Sequence, residues 1–270
     1  MRVTVLGSGS AGNATLIEAG DVRILVDAGF SGRDLERRMA EVGVEPSTIN
    51  AIVITHDHGD HTRGMGVLAR RFGLPLYLTE RTRLACAALL TGEETVREYR
   101  SSGALRIGRL EVMPFLTVHD AADPVAVTVQ DTSSGAKLGI ATDLGRPTVA
   151  VRAALAGCHM LVLEANHDDA LLWAGPYPWS VKQRIASSHG HLSNRAAAQL
   201  VRELCHPGLA HVVLAHLSEH CNDAAMAADV VGASLNRLRY RGSLAVAPQE
   251  HPCQPVDVRP AVPEQLALLL

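Results

Sequence analysis

The chain has 270 residues, 47% of them hydrophobic and 20% charged, with a formal net charge of -3. That length and apolar content support a buried core and exclude a disordered or low-complexity chain. The slightly acidic balance excludes an overall basic coat, though it leaves room for a local basic patch on a nucleic-acid-binding face. Against only 3% aromatic residues, the 13 histidines stand out. Such an excess of imidazole points to a metal or acid–base site.

The first apolar run, Val3–Leu6, leads into Gly7-x-Gly9-x-x-Gly12, with Asp27 downstream. This spacing matches a dinucleotide fingerprint only if a helix starts at the third glycine. Instead, two apolar runs flank Ala19-Gly20-Asp21, the pattern of a β-hairpin. The glycines are therefore expected to make a tight loop. It serves either as a plain turn or as a nest of N–H groups for a substrate phosphate.

Further on, Val22–Val26 ends at Asp27, and Gly32–Val42 has a helical pattern. Ala51–Thr55 runs into His56, and Glu80–Leu90 again reads as helix. His119 closes an apolar stretch, Leu138–Thr142 ends at Asp143, and Thr148–Leu155 is helical. Met160–Glu164 leads to Asn166 and His167. Ser193–Leu204 is a strong helix with Ser193 or Asn194 as N-cap, and Val212–Ala215 ends at His216. Short apolar strands alternating with helices define an α/β chain, whose function is expected at the strand C-terminal ends. Polar residues recur at those ends, which places them on one rim.

The run His56-Asp57-His58-Gly59-Asp60-His61 supplies four metal-ligand side chains in six residues. In extended chain, residues i and i+2 point the same way, so His56 and His58 can grip one ion. As the chain turns toward a helix at Thr62, Asp60 and His61 can grip a second. Imidazole and carboxylate suit zinc and are tolerated by manganese. Two ions need further ligands, and His119, Asp143 and His216 occupy matching strand-end positions; the two oxygens of Asp143 could bridge the ions.

The five cysteines (Cys86, Cys158, Cys205, Cys221 and Cys253) are scattered and form no C-x-x-C pair. They fit reduced thiols rather than a disulfide framework. No apolar run approaches the ~20 residues of a membrane span, and the first residues lack a signal-peptide core. A soluble cytoplasmic protein without a membrane partner is expected.

The HDHGDH run, with Asp27 upstream and His119, Asp143 and His216 downstream, resembles the metallo-β-lactamase fold hydrolases over nearly the whole chain. The segments GSGSAGNATLIEAG, ITHDHGDHTRG, LVLEANHD and GHLSN, followed by LAHLSEH, are similar to the YycJ/WalJ-like branch, related to tRNase Z and known for nuclease activity on DNA ends. The resemblance implies a four-layer αβ/βα sandwich of two mixed β-sheets flanked by helices. It implies one domain over residues 1–270, with 251–270 a peripheral tail. It places His56, His58 and His119 on one metal and Asp60, His61 and His216 on the other, with Asp143 bridging and Asp27 behind the metal loop. No cysteine stands at the Asp143 position, as it does in many true β-lactamases of this fold, and no inserted β-CASP nuclease domain is present.

Two divalent ions, zinc or manganese, would hold a bridging hydroxide that attacks phosphorus. Asp60 would serve catalysis as well as metal binding. His191 resembles the tRNase Z histidine that gives the leaving oxygen a proton, and Glu164 would orient or charge it. Ser10, Asn13, Asn166, His167 and Asn194 are candidate substrate contacts, His167 equally a structural partner. Arg33, Arg37, Arg38, Arg63 and Arg184 could give the mouth positive charge. The function expected is a nucleic-acid exonuclease, DNA ahead of RNA. The alternatives are a hydrolase of a small ester, thioester, lactone or cyclic phosphodiester, and a non-catalytic metal-binding regulator.

Overall fold

The computed structural model describes residues 1–260. The chain opens with strands β1 (Arg2–Gly7), β2 (Ala14–Ala19) and β3 (Val22–Val26), helix α1 (Gly32–Glu41) and strand β4 (Ala51–Val53). Helices α2 (Gly59–Thr62) and α3 (Met65–Phe72), strand β5 (Leu76–Thr79), helix α4 (Glu80–Ala85) and strand β6 (Val96–Tyr99) come after it. Next are β7 (Leu105–Ile107), β8 (Leu110–Leu116), β9 (Val125–Asp131), β10 (Lys137–Ala141), α5 (Val149–Leu155) and β11 (Met160–Glu164). The last elements are α6 (Asp169–Ala174), α7 (Trp179–Ile185), α8 (Asn194–Leu204), β12 (His211–Ala215), α9 (Ala224–Arg237), β13 (Ser243–Val246) and β14 (Val256–Asp257).

The strands form two seven-stranded sheets, ordered β14-β1-β2-β3-β4-β5-β6 and β13-β12-β11-β10-β9-β8-β7. Both are mixed. From β14 to β3, and from β7 to β10, neighbours are antiparallel; from β3 to β6, and from β10 to β13, they are parallel. The parallel halves aim their C-terminal ends at one rim, where ligand sites of α/β sheets collect.

Strand side chains alternate between faces, and that alternation separates the layers. Val5, Ile17, Ile24 and Val53 of the first sheet pack between the sheets with Val112, Val127, Leu138 and Val162 of the second. The opposite faces carry helices. Leu35 and Met39 of α1 and Leu68 of α3 cover Leu25, Ile52 and Leu76, whereas Leu155 of α5, Leu200 of α8 and Val231 of α9 cover Leu161, Leu163 and Leu214. Each of these side chains is almost wholly buried, at about 1.5–3 kcal/mol of transfer free energy apiece. The result is the four-layer sandwich expected from the resemblance.

Local outcomes trace to single residues. β2 and β3 form the expected hairpin, with Gly20 at φ 60° in its turn, so no dinucleotide helix starts at Gly12. Ser193 caps α8 by accepting from the Ala196 N–H. The helix expected over Glu80–Leu90 stops at Ala85. Cys86 leaves helical geometry, its buried thiol facing the Asp57 carbonyl, and a 3-10 turn at Ala87–Leu89 finishes the segment. The turn after the histidine run starts at Gly59 rather than Thr62, so Asp60 and His61 are themselves helical. Residues 251–260 lie along the edge of the first sheet: β14 pairs with β1, and Val258 is buried. Residues 261–270 of the expected tail lie outside the described residues. Among those described, no helix is long and apolar enough to cross a membrane.

Candidate metal centre

Asp27 and His216 come directly after β3 and β12, and Asp143 stands two residues beyond β10. Their φ angles are 62°, 55° and 57°, in the left-handed region that residues with a Cβ avoid. Such positions cost of order 1–3 kcal/mol each and persist where the surroundings enforce them, commonly at functional sites. Here they bend the chain sharply at the strand ends, where all three side chains meet the histidine run.

Five imidazoles converge, and each is held from behind. His61 Nδ1 lies 2.8 Å from Asp27 Oδ2, His216 Nδ1 2.9 Å from Glu164 Oε1, His119 Nδ1 3.1 Å from the Gly190 carbonyl and His58 Nε2 3.2 Å from the Asp120 carbonyl. These oxygens only accept, so the facing ring nitrogens donate. His56 Nδ1 is 3.1 Å from the Thr55 hydroxyl. That hydroxyl is already 2.9 and 3.0 Å from the two Asp27 oxygens and donates there, so it accepts from His56.

With those nitrogens protonated, the opposite nitrogen of each ring carries a lone pair directed inward. His119 Nε2 lies 3.2 Å from His58 Nδ1 and 3.4 Å from Asp143 Oδ1. His61 Nε2 lies 3.0 Å from Asp143 Oδ2 and 3.4 Å from Asp60 Oδ2, and His216 Nε2 lies 3.2 Å from Asp60 Oδ2. Lone pairs facing one another at such distances repel unless a cation lies between them. His56 Nε2 and Asp143 Oδ2 are buried without a hydrogen-bond partner, an arrangement that buried polar atoms rarely tolerate. The ligand atoms of His56, His58, His119 and Asp143 lie within 4.8 Å of one another, as do those of Asp60, His61 and His216. This donor set fits divalent metal ions, with the outer hydrogen bonds fixing ring orientation as they do in metal sites generally.

The electrostatics have the same sense. Burial works to neutralise Asp60 and Asp143, yet His61 and His216 hold both well below the usual carboxylate range. Burial likewise opposes charge on His61 and His216, but Asp143 and its neighbours outweigh it and raise both. The carboxylates thus demand positive charge at this point, which a proton or a metal ion supplies. His56 and His119 are lowered, first by burial.

Glu164 organises the centre from below. It is fully buried, and its carboxylate accepts from the backbone N–H groups of Asp143, Leu144 and Leu192 and from the rings of His191 and His216. Its pKa falls to about 2: burial opposes the charge, and His191 and His216 outweigh it. With its lone pairs so occupied, Glu164 fixes the backbone and the two rings around the centre, although its oxygen also lies within 4.8 Å of ligand atoms of Asp143, His191 and His216. His191 gives Nδ1 to Glu164 at 2.8 Å, and its ring stands 5.1 Å from those of both His119 and His216.

A cavity of about 260 Å³ opens above the cluster, with His58, Asp60, Asp143, His191 and His216 in its lining. Of the expected substrate contacts, Ser10 and Asn166 line it. Asn13, Asn194 and His167 do not. Asn13 is buried, its amide spent on Gly9 and Asp60 and its oxygen on Ser8 and Gly9. Asn194 pairs with Asn222, which ties back to the Ala165 carbonyl. His167 is 3% exposed, and its backbone pairs with Ser193 and Asn194. The glycine loop spends most of its N–H groups inside the protein, with Ser10 facing the cavity. The N–H groups of Ser8, Gly9, Ala11, Gly12 and Asn13 all donate within the protein.

The expected arginine mouth also contracts. Arg37 pairs with Asp34 and Glu41, Arg38 is buried against Leu6 and Phe30, and Arg63 ties to the Ala11 carbonyl. Of the five arginines considered, Arg184 alone lines the cavity, and it pairs with Asp120 at 3.0 Å. The wall it belongs to, formed by Tyr177 and by Val181, Arg184 and Ile185 of α7, went unread in the sequence. No apolar period marks this short helix, and only Pro178 before it signals a start.

Fold and site together define a metal-dependent hydrolase of the two-sheet sandwich class. A model of the beta-lactamase superfamily domain matches residues 22–217. The chain is 36% identical over 220 residues to the exodeoxyribonuclease YycJ of Bacillus anthracis, covering 81% of this chain and 83% of that protein. It is 34% identical over 226 residues to the exodeoxyribonuclease WalJ of Streptococcus pneumoniae, covering 82% and 83%. The metallo-beta-lactamase fold protein YhfI of Bacillus subtilis superposes with a TM-score of 0.72 at 19% identity, over 93% of this chain and 98% of that structure. The chain belongs to the beta-lactamase superfamily, in its YycJ/WalJ branch.

Proposed function

We propose that the chain is a di-metal phosphodiesterase that degrades DNA from its ends, a single-domain enzyme of the cytoplasm. The observation that carries the reading is the convergence of five back-bonded imidazoles on Asp60 and Asp143 beneath an open cavity. The names of its relatives, exodeoxyribonucleases, support a phosphodiester substrate and DNA over RNA. Five free cysteines support the reducing compartment.

In this reading His56, His58 and His119 hold one ion and Asp60, His61 and His216 the other, while Asp143 presents one oxygen to each group. Imidazole with carboxylate suits zinc, and manganese is accepted by the same set. When bound, such ions lower the pKa of a coordinated water and draw negative charge from a phosphate. Ser10, Asn166 and Arg184 orient the phosphate at the cavity wall. His191 is the acid: Glu164 accepts from Nδ1 and, against the opposing effect of burial, raises the ring's pKa, so the imidazolium holds a second proton on Nε2 to give to the leaving oxygen. Glu164 is a positioning residue, since it reaches the reaction only through His191, His216 and the backbone of Asp143. Asp60 serves as a metal ligand.

One observation favours a second reading, hydrolysis of a small ester. The cavity is modest, and Arg184 is the one arginine or lysine in its lining. Metal-loaded protein offered linear and circular DNA, RNA, bis-p-nitrophenyl phosphate and a thioester separates the two. The proposal expects linear DNA and the phosphodiester to be cleaved and circular DNA to resist. Thioester cleavage with no phosphodiester cleavage would overturn it.

A further inference from the structure

The chain contains two tryptophans, and both stand exposed on the segment that walls the cavity. Trp173 of α6 is 45% exposed and Trp179, the first residue of α7, 64%. Their rings lie 5.2 Å apart at 40°. Large aromatic side chains normally bury themselves and dominate cores, so two neighbouring indoles left in solvent call for a partner. Tyr177 and Val181, flanking Trp179 in sequence, line the cavity itself. A helix turns 100° per residue, which sets Trp179 on the flank of α7 opposite Val181, Arg184 and Ile185. The indoles therefore stand on the outer side of the helix that walls the cavity.

We propose that this indole pair is a stacking platform for unpaired bases of the strand whose end enters the cavity. The inference rests on the phosphodiesterase reading and adds that the attacked end is single-stranded at the rim. Charge supports a nucleic acid over an apolar peptide. The ammonium of Lys182 lies 2.7 Å from the Trp173 carbonyl, which sets a cation beside the two rings. Cations beside exposed rings are how sequence-tolerant single-strand binders hold phosphate and base together. Base pairs would shield both faces of every base from the indoles, so a blunt duplex cannot use the platform without fraying.

Because no other tryptophan is present, emission excited beyond the absorption of the four tyrosines reports on this pair alone. Metal-loaded protein is titrated with a phosphorothioate oligothymidylate, an abasic strand of equal charge, and a blunt hairpin duplex. The expected result is roughly a twofold loss of emission with oligothymidylate and little with the other two. Trp173→Ala with Trp179→Ala should raise KM for a tailed DNA substrate about tenfold, the size of effect expected from losing one stacked base. Turnover of bis-p-nitrophenyl phosphate, too small to reach the rim, should be unchanged. Unaltered emission with oligothymidylate bound, or equal quenching by the abasic strand, overturns the platform. So does emission that varies with protein concentration, which would mean that a second copy covers the indoles. Absence of phosphodiester cleavage in the unmodified enzyme would instead count against the functional reading.

Discussion

Gly29 has no room for a side chain: a Cβ there would sit 1.6 Å from the Asp60 carbonyl oxygen. The main chain of the metal turn rests on this glycine, whose own N–H is tied to Asn13 and whose neighbour Ala28 donates to the His61 carbonyl. Gly29→Ala is expected to push Gly59–Thr62 outward, costing about 1–3 kcal/mol as overpacking does. At least one bound ion should be lost, read by metal analysis and melting temperature; unchanged values of both would show that the turn can yield. His191 tests the chemistry without the scaffold. His191→Ala removes one donor from Glu164 but no ligand atom, so it should keep both ions and lose at least 100-fold in kcat, the size of a general acid's contribution. Loss of metal from this variant would reassign His191 to the ligand set.

The elements that carry these residues are held by ordinary local devices. α8 begins at Asn194 because Ser193 accepts from the Ala196 N–H at 3.3 Å. Three residues before the helix lies His191, with the Leu192 N–H on Glu164. Ser193→Ala should cost about 1 kcal/mol, a fall of roughly 2–4 °C in melting temperature for a chain of this size. Ser193→Asp should recover it. An alanine variant as stable as the parent would mean that packing of Leu200 and Val201, rather than the cap, sets this helix end. The strand ends show a different device: three left-handed residues, Asp27, Asp143 and His216, each braced by a partner from a distant element. Thr55 holds Asp27, the Glu164 carboxylate takes the Asp143 N–H, and the Ser8 hydroxyl takes the His216 N–H.

Over the whole molecule, the features written into short stretches of sequence are the ones that can be read there. Apolar runs ending in Asp27, His56, Asp143 and His216 disclose both the parallel strands and the rim. The HDHGDH spacing discloses four of the seven proposed ligands, because backbone geometry alone brings residues so close together. The features that stay hidden depend on pairs far apart in the chain. Asn194 reads as a substrate contact in the sequence, yet Asn222, 28 residues away, claims its amide. Asn13 reads as available for the same reason, its amide going to Asp60, 47 residues away. Glu164 as the acceptor of five donors, and α7 as the cavity wall, arise only when β10, β11, β12 and the loop before α8 are packed together. Surface arginines cannot be sorted from the sequence into free and paired, since their carboxylate partners lie on the same helix or across a loop.

The catalytic reading depends on two divalent ions occupying this cluster together, spanned by Asp143. Metal content per chain, measured by mass spectrometry on protein equilibrated with zinc or manganese and stripped of loosely bound ions, tests it most directly. Two equivalents per chain are predicted, falling to one or fewer in Asp143→Ala. A single equivalent in the unaltered protein, or two that persist without Asp143, would contradict it.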